Sequence, residues 1–325
     1  MTASTLHYEM VQTRGLKFEV ASAGEGDKLA LLLHGFPECA HSWRHQIPAL
    51  VKLGYRVWAP NLRGYANSER PKGVAAYGAE QLEGDISDLI DASAARSVLL
   101  VGHDWGGGIA WNYAMHGTRP IERLVVLNCP HPVLFARALR TKAQFKRSWY
   151  MLFFQLPWLP ELLLRRDHAS AISNIIRDTA VHKEHFADEE LALYRNNAAQ
   201  PGALTAMLNY YRAMGRTIVR GSQRTGANIR VPTLLIWGEQ DAALGKELTV
   251  GTARFVDKLT LRTIPDASHW VQQDAPETVN ALLEEWLGES RPEQLSTADV
   301  LYSSLTPEST PISASPANNS GDDGP

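Results

Sequence analysis

Two cysteines in 325 residues, Cys39 and Cys129, are too few to staple a disulfide framework. They fit a cytoplasmic, reducing compartment, with both thiols serving as small apolar side chains. Neither sign of charge is in excess, since 32 Lys and Arg against 35 Asp and Glu leave a formal net charge of −3. That balance speaks against a nucleic-acid binder and against a polybasic membrane surface. No apolar run reaches the about 20 residues of a bilayer-spanning helix. The longest, Tyr150 to Leu164, is interrupted by Pro157 and Pro160. The opening Met1-Thr-Ala-Ser-Thr-Leu6 has neither a basic n-region nor an apolar h-region, so no secretory signal is expected. Internal repeats are absent. From about Pro292 onward Lys and Arg are absent too, in a stretch rich in Ser, Pro, Thr and Asn. Such a stretch buries too little apolar surface to offset its ordering entropy, and 292–325 is expected to be a disordered tail.

What is present is a sizeable core. Hydrophobic residues make up 44% of the chain, enough for one large or two small domains. Leu6–Gln12 and Leu16–Ala21 flank a turn at Thr13-Arg14-Gly15 and read as a strand pair. Strand-like runs follow at Leu29–Leu33, Tyr55–Ala59, Ser97–Val101 and Leu124–Asn128, with Leu82, Ile86, Leu89 and Ile90 at helical spacing between them. This alternation predicts a mostly parallel sheet with helices on both faces. From about Val133 to Arg220 the pattern is helical, rich in Leu and aromatics. Strand-like runs then resume at Thr233–Trp237 and Leu259–Ile264, and a closing helix carries Val279, Leu282, Leu283 and Trp286 on one face. The expected organisation is an α/β core over 1–132 and 222–291 and a helical cap over 133–221. The polar hinge Gly221-Ser-Gln-Arg-Thr-Gly226 marks the cap's exit.

The sharpest motif is Val98-Leu-Leu-Val-Gly102-His-Asp104-Trp-Gly106-Gly-Gly. An apolar run ends in Gly-x-Asp-x-Gly and small residues open a helix. This is the pattern of a nucleophile elbow with aspartate in place of serine. A carboxylate is a weak acyl nucleophile, but it can open a strained ring or displace a halide at sp³ carbon. The resulting ester on the enzyme is then cleaved by water. Chain order in such a fold is nucleophile, acid, histidine. Asp241, just past the run 233–237, and His269, past the run 259–264, fill the second and third places at strand C-terminal ends. Glu239 is a competing acid, and Asp266 reads as a turn residue. Asn128 leaves its strand without an alternative acid, which favours Asp241. His34-Gly35-Phe36-Pro37 is placed to form an oxyanion loop. The backbone N–H groups of Phe36 and Trp105 are the expected donors, each worth about 2.7–4 kcal/mol. A cis peptide before Pro37 is compatible with such a loop.

The chain resembles the α/β-hydrolase-fold epoxide hydrolases. The likeness is carried by His34-Gly-Phe-Pro, Asn61-Leu-Arg-Gly-Tyr-Ala-Asn-Ser68, Gly102-His-Asp-Trp-Gly-Gly, Gly238-Glu-Gln-Asp241 and Ser268-His269-Trp270, over about residues 6–290. It implies a hydrolase in which two cap tyrosines hydrogen-bond and protonate the oxirane oxygen. Tyr150, five residues before Gln155, and Tyr211, directly before Arg212, match those positions, whereas Tyr210 reads as packing. Asn61 and Ala66 depart from the family's acidic residue and glycine, and are expected to affect only loop packing. The resemblance further implies a pocket for apolar or aryl epoxides lined by Trp105, Phe153, Phe154, Leu156, Trp158 and Trp270. It implies no metal or organic cofactor, and it allows a homodimer.

The alternative reading is a haloalkane dehalogenase with the same nucleophile. That family often places an asparagine where Phe36 stands, and has no use for two general-acid phenols. A fluoroacetate dehalogenase would want arginines after the nucleophile, where Trp105 and Gly108 stand. A non-catalytic receptor that keeps the fold is the remaining rival, and an intact Asp104, Asp241, His269, Tyr150 and Tyr211 speaks against it.

Overall fold

Runs of Leu, Val and Ile organise an eight-stranded sheet. The computed structural model describes residues 6–219 and 227–288, so the 221–226 hinge and the 292–325 tail lie outside the described residues. The strands are β1 (His7–Gln12), β2 (Lys17–Ala23), β3 (Lys28–Leu33), β4 (Arg56–Pro60), β5 (Ser97–His103), β6 (Arg123–Leu127), β7 (Thr233–Gly238) and β8 (Leu259–Ile264). Their order is β1-β2-β4-β3-β5-β6-β7-β8, with β2 antiparallel to both β1 and β4 and every pair from β4 to β8 parallel. Each expected strand is present, within two residues of its expected bounds.

β3, β5, β6 and β7 are buried almost end to end, as strands covered on both faces must be. The helices of the core are α1 (Gln46–Lys52), α2 (Ala79–Ser93) and α3 (Trp105–His116). Between β6 and β7 there is no strand among the described residues. The chain runs instead through α4 (Pro132–Ala138), α5 (Lys142–Arg147), α6 (Trp149–Phe153), α7 (Leu159–Leu164), α8 (Arg166–Thr179), α9 (Asp188–Ala199) and α10 (Ala203–Val219). After β8 come α11 (Val271–Asp274) and α12 (Pro276–Gly288).

α3 packs on β3, β5 and β6 and is pinned by Trp111, whose indole N–H donates to the Cys129 carbonyl at 3.0 Å. Both cysteines are free and buried, and burial pushes the Cys39 thiol up to about 12. At neutral pH that thiol stays protonated and acts as apolar filler.

The loop after β4 supports the site from below. Asn61 accepts from the Ala40 N–H and donates to Glu19, while the Ser68 hydroxyl returns to the Asn61 carbonyl. Arg63 forms a bidentate pair with buried Asp85. Ala66 stands at φ +44, where a side chain costs about 1–2 kcal/mol relative to glycine. Arg70 bonds the Ala66 carbonyl and braces that turn.

Candidate active site

Asp104 caps α3 at the end of β5, with φ +48 and ψ −118. A non-glycine residue held there costs about 1–3 kcal/mol, and the surroundings must fix it. They do so by close approach. A Cβ on Gly106 would meet the Leu33 carbonyl oxygen at 2.1 Å, and one on Gly35 would meet the Asp104 Cβ at 2.4 Å. Only glycine lets the β3 loop and the elbow touch. The Gly106 N–H donates to the His34 carbonyl and closes that contact.

The loop after β3 aims Phe36 at the nucleophile, with its N–H donating to Asp104 Oδ1 at 2.8 Å and a cis Phe36–Pro37 peptide. Trp105 opens α3, so its N–H belongs to the first-turn donors that have no intrahelical partner. His34 anchors the loop. Its Nε2 accepts from the Leu62 N–H at 3.0 Å and its Nδ1 donates to the Gly35 carbonyl at 2.9 Å. Burial lowers its pKa to about 4, so the ring is neutral.

Asp241 lies beyond β7 and His269 beyond β8. Asp241 Oδ2 accepts from His269 Nδ1 at 2.6 Å and from Asn128 Nδ2 at 2.8 Å, while its Oδ1 takes the N–H groups of Ala243 and Leu244. Four donors hold this carboxylate in one orientation. Asn128, read in the sequence only as the absence of an acid, ties Asp241 to β7 through two further bonds to the Gly238 backbone. Glu239, the competing acid, instead bonds Lys246 at the surface. His269 Nε2 points at Asp104 Oδ2 across 3.6 Å. Burial opposes protonation of His269, but Asp241 and Asp104 outweigh it and raise its pKa well above the usual value. Burial likewise opposes ionisation of Asp104, and His269 reverses that, holding the carboxyl below its ordinary range.

Beneath these groups lies a buried hub that no local sequence pattern marks. Glu38 Oε2 accepts from His103 Nδ1 at 2.7 Å and from the Gly35 N–H, and its Oε1 accepts from the side chains of Gln272 and Gln273. His103 Nε2 then donates to the His269 carbonyl at 2.8 Å. One carboxylate thus joins the oxyanion loop, the elbow and the histidine loop. Trp270 packs edge-on to His269 at 4.9 Å and donates its indole N–H to Thr179.

Aromatic rings close the site from the helical side. Tyr211 on α10 is buried edge-on against Trp105 (5.0 Å), Phe36 (5.4 Å) and Phe154 (5.0 Å). Tyr150 on α6 stands 6.0 Å from Tyr211 and 5.6 Å from Phe154. Burial first raises the pKa of both phenols, followed by the Asp104 charge at Tyr150 and by Tyr150 and then Asp104 at Tyr211, so both keep their protons. Tyr210 points away and donates to the Arg63 carbonyl. Gln155 and Arg212 supply the linkage between the two tyrosine segments. Gln155 Nε2 donates to the Tyr211 carbonyl at 3.0 Å, and Arg212 donates to the carbonyls of Phe154 and Leu156 and to Glu161.

Leu156 and Trp158, expected in the pocket, are 44% and 69% exposed. The helix ends before Pro157, Arg212 holds the Leu156 carbonyl against α10, and Trp158 at φ +53 turns its side chain outward. Phe153 is half-buried at the edge of the ring cluster, 6.0 Å from Phe154.

Residues 30–276 match the family model described as the alpha/beta hydrolase fold. Over 86% of this chain and 97% of the relative, the sequence is 39% identical to AB hydrolase superfamily protein YfhM of Bacillus subtilis. It is 37% identical to Epoxide hydrolase 4 of Mus musculus, over 87% of this chain and 79% of the relative. Among solved structures, an epoxide hydrolase from Bacillus megaterium bound to an inhibitor superposes with a TM-score of 0.80 at 32% identity, covering 86% of this chain and 100% of that one. A mutant of the same enzyme, complexed with its naphthyloxy-propanediol product, gives the same TM-score. The chain belongs to the α/β-hydrolase fold family and, within it, to the epoxide hydrolases.

Proposed function

We propose that this chain converts epoxides to vicinal diols in two half-reactions through an ester on Asp104. The observation that carries the reading is the pair of protonated phenols, Tyr150 and Tyr211, 6.0 Å apart ring to ring, with Tyr211 packed on Trp105 and Phe36 and both within the field of the Asp104 carboxylate. Ring opening leaves an alkoxide, a poor leaving group unless a donor meets it. Two phenols can donate as the charge develops.

In the first step an Asp104 oxygen attacks a ring carbon, the carbon–oxygen bond breaks, and a phenol proton passes to the departing oxygen. In the second, His269 takes a proton from water, and the hydroxide attacks Asp104 Cγ. The N–H groups of Phe36 and Trp105 hold the tetrahedral oxyanion. In its collapse the ester bond breaks, the proton of the added hydroxyl passes to the leaving alkoxide, and the carboxylate and the diol are released. The phenolate left by the first step takes the proton that the free enzyme holds on His269, which frees that base, and the proton taken from water restores the resting charge. Asp241 keeps His269 oriented and balances its charge. Both steps draw on side chains and backbone N–H groups of this chain.

The ring box of Phe36, Trp105, Phe154, Tyr150 and Tyr211 favours apolar and aryl epoxides. The aryl-ether diol bound by the Bacillus megaterium enzyme supports that preference. The reading includes a cytoplasmic enzyme, alone or as a homodimer, acting on a small molecule. Incubation with styrene oxide followed by chiral analysis of the diol tests it. Diol formation is expected, with no halide released from bromoalkanes. Halide release without diol would move the chain to the dehalogenases.

A further inference from the structure

No helix among the described residues is long and apolar enough to cross a membrane. One face of the helical insertion nonetheless differs from the rest of the surface. Seven of the twelve large hydrophobic side chains exposed among the described residues fall between Phe145 and Leu163. On α6 and its C-cap, Met151 and Phe154 turn inward with Tyr150, while Trp149 and Leu152 are 62% and 57% exposed. Phe145 on α5 and Leu156 just past α6 are exposed as well, at 51% and 44%. The catalytic reading needs only the inner face of α6. Nothing in it requires the outer one to be apolar.

The same segment is strongly cationic. Between Arg137 and Arg166 lie seven Arg and Lys, all exposed, and one acid, Glu161, which Arg212 already holds. Within these thirty residues there is therefore an excess of six positive charges, in a chain whose total is −3. Whole-chain charge balance hides this asymmetry.

We propose that the α5–α7 face docks on an anionic lipid surface, with Trp149, Leu152 and Trp158 entering the boundary between headgroups and acyl chains. Exposed Trp and Leu bordered by Lys and Arg are the composition of an interfacial helix. Basic side chains near an anionic leaflet add roughly fivefold in affinity each. A second copy fits less well, because a two-fold interface would set this cationic face against itself. α6 carries Tyr150 inward and Trp149 outward, so the docked face lies about 10 Å, one helix diameter, from the phenol. Docking would hold lipid-dissolved apolar epoxides near the site, a consequence that rests on the epoxide reading; the docking itself does not.

The test is co-sedimentation of the full chain with phosphatidylcholine vesicles, with and without one third phosphatidylglycerol. Binding is expected to the anionic vesicles only, weakening in high salt as screening grows. Lys142→Gln with Lys146→Gln should weaken it about 25-fold. Trp149→Gln with Leu152→Gln should weaken it about tenfold or more. Thermal melting should be unchanged in both pairs, since all four side chains are exposed. The proposal is overturned if the native chain leaves anionic vesicles unbound, or if binding survives loss of the apolar pair. It also fails if sedimentation velocity shows a stable dimer that the Trp149 and Leu152 substitutions dissociate.

Discussion

His269 Nε2 stands 3.6 Å from Asp104 Oδ2, while its Nδ1 bonds Asp241 at 2.6 Å. The first distance is too long for a hydrogen bond but short enough for each group to feel the other's full charge. The nucleophile therefore sets the protonation of its own base. With Asp104 ionised, two carboxylates hold a proton on His269. Once Asp104 is an ester, one of those charges is gone and the His269 pKa falls. The base is released at the step that needs it.

This coupling separates two pH profiles. kcat/KM reports the free enzyme, where the acid limb follows ionisation of Asp104, held below the usual carboxylate range. When ester hydrolysis limits turnover, kcat follows His269 in the intermediate, which must be neutral to act. The acid limb of kcat is expected at clearly higher pH than that of kcat/KM. Neither profile should show a basic limb from the phenols below about pH 10, since both are raised above their ordinary value. Coincident acid limbs would contradict the charge coupling.

Replacing His269 by Gln removes the base and leaves Asp104 able to attack. Alkylation should proceed and hydrolysis should slow by about 10²–10⁴-fold. Intact-protein mass spectrometry should then find the chain carrying one substrate mass. An inactive variant of unmodified mass would rule out the ester route.

The phenols divide one task. Tyr150→Phe and Tyr211→Phe each leave one donor and keep the ring packing, so each should slow alkylation by about tenfold. The double variant should lose about 10²–10⁴-fold. Stopped-flow quenching of tryptophan fluorescence, with Trp105 5.0 Å from Tyr211, would resolve that step. A double variant that alkylates at the native rate would remove both tyrosines from the chemistry.

The fold was legible because its strands are short apolar runs bounded by turn residues, and their alternation with helices allows few topologies. Asp104, Asp241 and His269 were legible because each follows a strand in the order the fold imposes. The Glu38 hub was hidden, since it draws on the loop after β3, the last residue of β5 and the helix α11 after β8, which share no local pattern. Asn128 was visible only as a missing acid, because its amide acts across 113 residues on Asp241. Leu156 and Trp158 carry no such signal, because a helix that ends before Pro157 has no steady period from which to read an inner face.

Arg212 makes the last prediction, because the motif that singled out Tyr211 contains it. Its guanidinium bonds two carbonyls of the Tyr150 segment and both oxygens of Glu161, and the pair's side chains are 12% and 13% exposed. Arg212→Ala would leave those acceptors and a half-buried carboxylate without partners, at about 2–3 kcal/mol. Melting should fall by about 5 °C or more. The rate should fall further than the melt implies, because α6 would no longer be held against α10 and the spacing of the phenols would widen. A misplacement of about 1 Å can cost about 10²-fold. Arg212→Lys, which keeps the charge but not the planar fork, should restore part of the melt and little of the rate. If lysine restores both equally, Arg212 acts on stability alone and the two tyrosines are positioned by the ring packing around Phe154.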